Sequence, residues 1–485
     1  MVKENSPAAT SLAYDHMLPS WAKIQTVLDG TEALRKAGTL YLPQHKYESN
    51  DGYTERLSKS VLVNLTRLTL QSWVGRPFSI PIKLADVPQE ILDLLTDVDL
   101  LGSDLQMFAR NWFSDGVAKA FSHVYVDFPR TDLTPQRTLQ TDREEHIRPY
   151  WIHWRPEQLF YASSEMDRGQ EVLTEIRVME NVITRDGFVE ASTQQIRRVT
   201  LDGQRVELFQ LKKLRGRGKV VWAKVDEYTF SLPTIPLVTF YSDREAFMQG
   251  TPPLEDLADL NLSHWQGYSD QQACLTVARF PILALSGGSD SEGVLKIGPN
   301  RWLYSPDPAA KFYYVEHSGN AIEAGRKDLL DKEARMSEYG AEFLKKRPSA
   351  TTATARTLDS SEATSPLQDM AMRFATAMNR ALALTAQWMD LKEGGTAQLR
   401  TDFGPEDSSP AELTTLQATR KDRDISRVTY LKEIQRRGML PDDFDQEADA
   451  ELLEEESLEM IGTLTPTPPE PKPEETGEET EPEEE

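Results

Sequence analysis

Thr251-Pro-Pro-Leu-Glu-Asp-Leu-Ala-Asp-Leu-Asn-Leu-Ser-His-Trp-Gln-Gly-Tyr268 carries the marks of a strong helix start. Thr251 can cap, the prolines suit a first turn, and Glu255 and Asp256 lie where the helix dipole favours carboxylates. Leu254, Leu257, Asn261, Trp265, Tyr268, Leu275 and Ala278 then recur at three- and four-residue steps until Pro281. A helix over 253–279 would be about 40 Å long. Past it come short strands and turns: Ile282-Leu-Ala-Leu, Gly287-Gly, Arg301-Trp-Leu-Tyr and Phe312-Tyr-Tyr-Val. A second helix, about 36 Å long, is predicted from Ala321 to Leu344. It is dense in charge (Arg326, Lys327, Asp328, Asp331, Lys332, Glu333, Arg335), with a thin apolar line of Ile322, Leu329, Leu330, Met336 and Phe343. Such a helix gains little in a monomer, where most of it faces water. Two arrangements remain open: the helix lies on the chain's own sheet, or the hairpin packs laterally against copies of itself in a ring. In the ring, its charges would pair between neighbours or face a lumen.

Downstream, Lys345–Ser361 holds no large apolar residue except Leu358 and reads as an exposed, basic, mobile loop. A third long helix is predicted from Ser365-Pro366, with Leu367, Met370, Phe374, Met378, Leu382, Thr385 and Trp388 on one face. Residues 411–440 read as a helix pair with a break at Gly438. Upstream, helices are predicted over Met17–Leu28, Tyr53–Gly75 and Ile91–Leu95, and after a Ser103 cap through Leu105, Phe108, Trp112 and Phe113. From Phe121 the pattern becomes period two. Strands are predicted at 122–128, 150–154, 172–179, 194–201, 205–211 and 220–229, joined by Asp186-Gly, Asp202-Gly and Gly216-Arg-Gly turns. The simplest arrangement is one mostly antiparallel sheet over 120–245, packed on the preceding helices, so the fold class is α+β.

The chain has 485 residues, material for roughly three domains, and a net charge of −24. Pro441–Glu485 alone holds 19 acidic residues against one basic one, Lys472, so residues 1–440 carry only −6. From Thr463 the Pro-, Glu- and Thr-rich tail has nothing to bury and is expected to be disordered. No apolar run is long enough for a transmembrane helix, and the N-terminus has no apolar core of a secretory signal. The single cysteine, Cys274, excludes an intrachain disulfide and fits a reducing compartment. Within its helix it reads as a buried, inert thiol.

No catalytic constellation emerges. Gly216-Arg-Gly-Lys219 lacks phosphate-loop spacing, and Gly287-Gly-Ser-Asp-Ser-Glu-Gly293 lacks the ligand count of a calcium loop. The seven histidines form no ligand pair; His123 and His153, on predicted strands, read as a structural pair. No cofactor or metal is expected, and no enzymatic activity. A metal-dependent nuclease or nucleotide-binding enzyme, motivated by abundant carboxylates and the basic loop, is the alternative. An adaptor recruiting partners through its acidic tail is the third reading.

Several further motifs matter by their order along the chain. These are Gly38-Thr-Leu-Tyr-Leu-Pro43; Arg56 with Asn64-Leu-Thr-Arg67, running into Trp73-Val-Gly-Arg-Pro77; and Asp99-Leu-Leu-Gly-Ser-Asp-Leu-Gln-Met-Phe-Ala109. Val124-Tyr-Val-Asp-Phe-Pro129, Arg148-Pro-Tyr150, Trp154-Arg-Pro-Glu157 and Ile235-Pro-Leu-Val-Thr-Phe240 follow, the last leading into Pro252-Pro-Leu-Glu-Asp-Leu257. In this order they resemble the portal proteins (head-to-tail connectors) of tailed double-stranded-DNA bacteriophages, over roughly residues 10–440. The likeness implies a wing (1–250), a first stem helix (251–280), a clip (281–320) and a second stem helix (321–344). A tunnel loop (345–364), a long wing helix and return (365–410), a helical crown (411–461) and an acidic tail (462–485) would follow. By the same resemblance the chain would form a closed ring, usually of about twelve subunits, at one capsid vertex of a virion assembled in the host cytoplasm. It would conduct DNA during packaging and ejection and contact terminase, a head-completion or tail adaptor protein, and capsid or scaffolding protein. Lys345, Lys346, Arg347 and Arg356 would form a basic collar touching DNA transiently, and Arg301, Trp302 and Tyr304 would serve docking at the clip.

Overall fold

A computed structural model describes residues 6–129, 147–213, 220–279, 282–286, 311–315, 319–340, 353–401, 410–436, 439–440 and 444–463. The chain divides into two compact units, Met1–Phe403 and Gly404–Glu485.

The first unit opens with α1 (Leu12–Asp29) and α2 (Thr31–Ala37). Ser11 caps α1 by accepting from the Tyr14 amide, and Met17, Trp21, Ile24 and Val27 form its buried stripe. Gly30, at φ 89°, ends it in a conformation only glycine adopts freely. The single helix expected over Tyr53–Gly75 is broken into α3 (Asn50–Lys59) and α4 (Leu65–Gly75). Ser60 turns extended, and the Asn64 side chain caps the new helix by accepting from the Arg67 amide at 2.9 Å. The apolar repeat continued across the break and hid it. Next come β1 (Lys83–Ala85), α5 (Gln89–Leu94) and α6 (Leu105–Lys119). The cap of α6 is Asp104 rather than Ser103, accepting from the Met107 amide at 2.7 Å.

Two sheets replace the one expected. β2 (Phe121–Asp127) lies between β3 (Tyr150–Trp154) and β9 (Leu237–Tyr241) in an antiparallel three-stranded sheet. All seven residues of β2 are buried. Alternate side chains face opposite sides of a strand, so Val124 and Val126 enter one core while Phe121 and Tyr125 enter another. In the first core Phe374 meets Trp112, Phe113 and Phe240 at centroid separations of 4.8, 5.1 and 5.0 Å. Gly116 makes room: a Cβ there would sit 2.4 Å from the Phe240 ring. The second sheet is the meander β4 (Leu159–Asp167), β5 (Gln170–Asp186), β6 (Val189–Thr200), β7 (Arg205–Lys213) and β8 (Val220–Thr229). Arg197 of β6 ties the sheets together, its Nη1 lying 2.8 Å from Asp127 of β2 and its Nε 2.9 Å from Glu180 of β5.

α7 (Glu255–Ala278), β10 (Ile282–Ser286), β11 (Lys311–Val315) and α8 (Asn320–Gly340) follow, with β10 and β11 paired antiparallel. α9 (Ala353–Trp388) buries Leu367, Met370, Phe374, Met378 and Leu382, the face anticipated. It starts upstream of Ser365-Pro366 and runs through Pro366, so part of the expected loop is helical. Ala353, Ala355, Arg356, Leu358, Glu362 and Ala363 favour a helix among the Thr, Ser and Asp residues of 353–363, and a proline inside one loses its own amide bond, crowds the carbonyl four residues back and bends the axis. β12 (Thr396–Gln398) returns to pair with β1.

In the second unit α10 (Pro410–Lys421), α11 (Arg427–Arg436) and α12 (Gln446–Thr463) follow one another, and Arg427 pairs with Asp449 at 2.7 Å. The break within the expected helix pair falls at 422–426, ahead of Gly438, and α12 adds a third helix. Residues 464–485, expected to be disordered, lie outside the described residues. Among the described residues no helix is long and apolar enough to cross a membrane.

Candidate functional site: the α7–α8 hairpin

α7 is one continuous helix of 24 residues with two different environments. Through Ser269 it is held by the N-terminal helices. Leu254, Leu257, Ala258, Leu262 and Trp265 are buried, Trp265 completely. Polar contacts run alongside. Lys23 meets Glu255 at 3.1 Å and Asp259 at 2.8 Å, and Ser20 donates to Glu255 at 2.7 Å. Buried Asn261 donates to the Val63 carbonyl at 2.8 Å and accepts from the Thr66 hydroxyl at 3.0 Å, so its amide is satisfied on both sides. Gln266 donates to the Tyr41 carbonyl at 2.6 Å, and Ser60 donates to Ser269 at 2.9 Å.

Beyond Ser269 no described residue of α7 is buried. The sequence shows why: positions that continue the anchored face become Gln272, Ala273 and Thr276, which have no apolar surface worth covering. Cys274, expected to be buried, is exposed for this reason.

α8 runs antiparallel along α7. Tyr339 donates to Asp256 at 3.2 Å, His264 lies 3.0 Å from Glu333, and Gln271 donates to the Ile322 carbonyl at 2.8 Å. Glycines sit on the facing sides, Gly267 beside Leu329 and Lys332, and Gly325 beside Gln271. Met336 alone among the described α8 side chains is buried, while Leu330 is 48 % and Tyr339 46 % exposed. Of the predicted apolar line, Met336 is buried, Ile322 and Leu329 are half-buried and Leu330 is exposed, while Phe343 lies outside the described residues.

Of the residues expected to contact DNA, Lys345, Lys346 and Arg347 lie outside the described residues. Arg356 falls on α9, its side chain outside them. Arg301, Trp302 and Tyr304 of the expected docking set also lie outside. His123 and His153 stand on adjacent strands. Burial and His153 push His123 down to about 3, and burial lowers His153 as well. Among the described residues no cluster of His, Cys, Asp or Glu could hold a metal ion.

Sequence reasoning missed the clamp on α7, although it lay in the quoted motifs. Tyr41, Pro43, Arg56 and Thr66, which carried the resemblance, supply contacts at or beside α7. The signal was the polar trio Asn261, His264 and Ser269 on an otherwise apolar helix face, since buried polar groups need partners.

A family described as "Domain of unknown function (DUF4055)" matches residues 253–389, the hairpin and all of α9. No curated protein matches the chain. Similar solved structures include a chain from the neck of a native gene transfer agent (GTA) particle computed with C12 symmetry, at 12% identity and TM-score 0.38, covering 78% of this chain and 90% of that one. A chain from the virion of a native GTA particle matches at 14% identity and TM-score 0.39, over 78% and 90%. One from the neck of an empty GTA particle computed with C6 symmetry gives 14% and 0.39 over 78% and 93%. The likeness to these particle components is loose.

Proposed function

We propose that this chain is a portal protein, a ring of about twelve copies at one capsid vertex that conducts DNA during packaging and ejection. The observation that supports this reading best is α8, a 21-residue helix with a single buried described side chain, lying on α7, which past Ser269 has no buried described residue. Sibling chains on either side would cover Leu330 and Tyr339 and pair the charges. The role is structural: the ring holds a hole, and a separate motor supplies energy.

DNA passing through must touch phosphates without being held, because each neutralised phosphate adds salt-dependent affinity. Lys345, Lys346, Arg347 and Arg356, repeated around the ring, would supply a basic collar in an otherwise acidic protein. The segment between β10 and β11, with Arg301, Trp302 and Tyr304, would dock the terminase and then an adaptor.

Mass photometry and end-on images of the purified chain test the reading. Annular particles of well over half a megadalton are expected if about twelve copies of the 54.9 kDa chain associate. A stable monomer that cleaves DNA when metal is added would favour an enzyme instead.

A further inference from the structure

Tyr41–Ser49, the segment before α3, crosses α7 at Gln266–Asp270, where that helix leaves the body. Its residues Pro43, Gln44, His45, Lys46 and Tyr47 are exposed, Tyr47 at 90 %. Leu42 anchors its start, buried in one core with Ala258, Leu262 and Trp265 of α7. The exposed stretch after it is held chiefly by Arg56, with 5 % of its side chain exposed. Its Nε and Nη2 grip Glu48 at 2.7 and 2.8 Å, Nη2 also donates to the Pro43 carbonyl at 2.9 Å, and Nη1 reaches Ser269 and Asp270 at 3.4 Å each. His45 adds a contact to Asp270 at 3.2 Å, and Gln266 donates to the Tyr41 carbonyl at 2.6 Å.

We infer that Tyr41–Ser49 is a strap across α7, clasped by Arg56 and Glu48, which sets the point from which the outer half of the helix projects. Strap and helix end share one guanidinium, so opening one frees the other. A planar fork with five donors can serve Glu48, Pro43 and α7 together; a lysine ammonium cannot. The inference concerns the single chain and stands whether or not rings form.

Hydrogen exchange on the full chain tests it, comparing wild type with Glu48→Gln and Arg56→Lys. Glu48→Gln keeps the size of the side chain but loses the charge and turns one acceptor toward Arg56 into a donor, and the unchanged control segments report whether the fold is kept. Losing charge-assisted bonds at the clasp should speed exchange about tenfold in amides of both 42–49 and 266–276, with 105–119 and 121–127 unchanged. Arg56→Lys should give the same paired pattern. Acceleration confined to 42–49 would show a loop tied to itself and overturn the strap. Acceleration spread evenly into 105–127 would show a general loss of stability and overturn it equally.

Discussion

Gln271 of α7 donates to the backbone carbonyl of Ile322 on α8 at 2.8 Å, in a space that exists because residue 325 is glycine. A Cβ at 325 would sit 2.1 Å from the Gln271 side-chain oxygen. Two effects then compete on Gly325→Ala. The alanine gains about 1 kcal/mol of helix propensity, and displacing Gln271 loses one hydrogen bond of about the same size. We predict that Gly325→Ala leaves thermal stability nearly unchanged. Gly325→Leu, which places a branched side chain where Gln271 now packs, should wedge the helices apart and abolish rings in mass photometry.

The bridge between the two sheets offers a larger effect. Arg197 is nearly buried, and Asp127→Asn would leave its charge with Glu180 alone. Breaking one partner of a buried pair costs about 3 kcal/mol. Denaturant melts should show that loss, and Arg197→Met, which leaves Asp127 and Glu180 as two largely buried carboxylates without a counter-charge, should cost at least as much.

Acid should weaken the first unit before any carboxylate titrates. His123 is held neutral to about 3 by burial, against an ordinary 6.5, with Nδ1 2.9 Å from the Thr239 hydroxyl. Below 6.5 the unfolded chain takes up a proton that the folded ring refuses, so stability falls as pH drops from 6.5 toward about 3. The slope is at most about 1.4 kcal/mol per pH unit for one histidine. His153, also lowered by burial, acts in the same direction. Glu48, held down to about 2 chiefly by its hydrogen bond from Arg56, adds a further loss between its ordinary 4.5 and about 2. Melting temperatures of His123→Asn should fall less steeply between pH 6.5 and 5 than those of wild type.

Much of this was legible. The two hairpin helices announced themselves through Thr251-Pro-Pro and a sustained three-and-four repeat, and β2 through its alternation. What was hidden depended on partners rather than periods. Nothing in Leu159-Phe-Tyr-Ala-Ser-Ser-Glu-Met-Asp167 marks a strand whose second half is polar and whose pairing slips twice. Nor does a list of strands say that Arg197 and Asp127 stand between two sheets. Cys274 misled because a helix can be continuous while its surroundings end.

The basic segment makes a separable prediction. Lys345, Lys346 and Arg347 changed together to Ala should leave rings intact but alter DNA retention in a packaging assay. Unchanged packaging would remove this segment from the proposed conduit. Deleting 463–485 should preserve rings, since the acidic tail has no apolar surface to contribute.

The central claim is that α7 and α8 find partners in sibling chains. Cross-linking mass spectrometry on a mixture of isotopically light and heavy protein measures this directly. Light–heavy links between residues 271–278 and 323–339 are predicted, together with at least about tenfold slower labelling of Cys274 in the assembled sample than in dissociated chain. Links confined to single chains, at a particle mass of 54.9 kDa over all attainable concentrations, would contradict it.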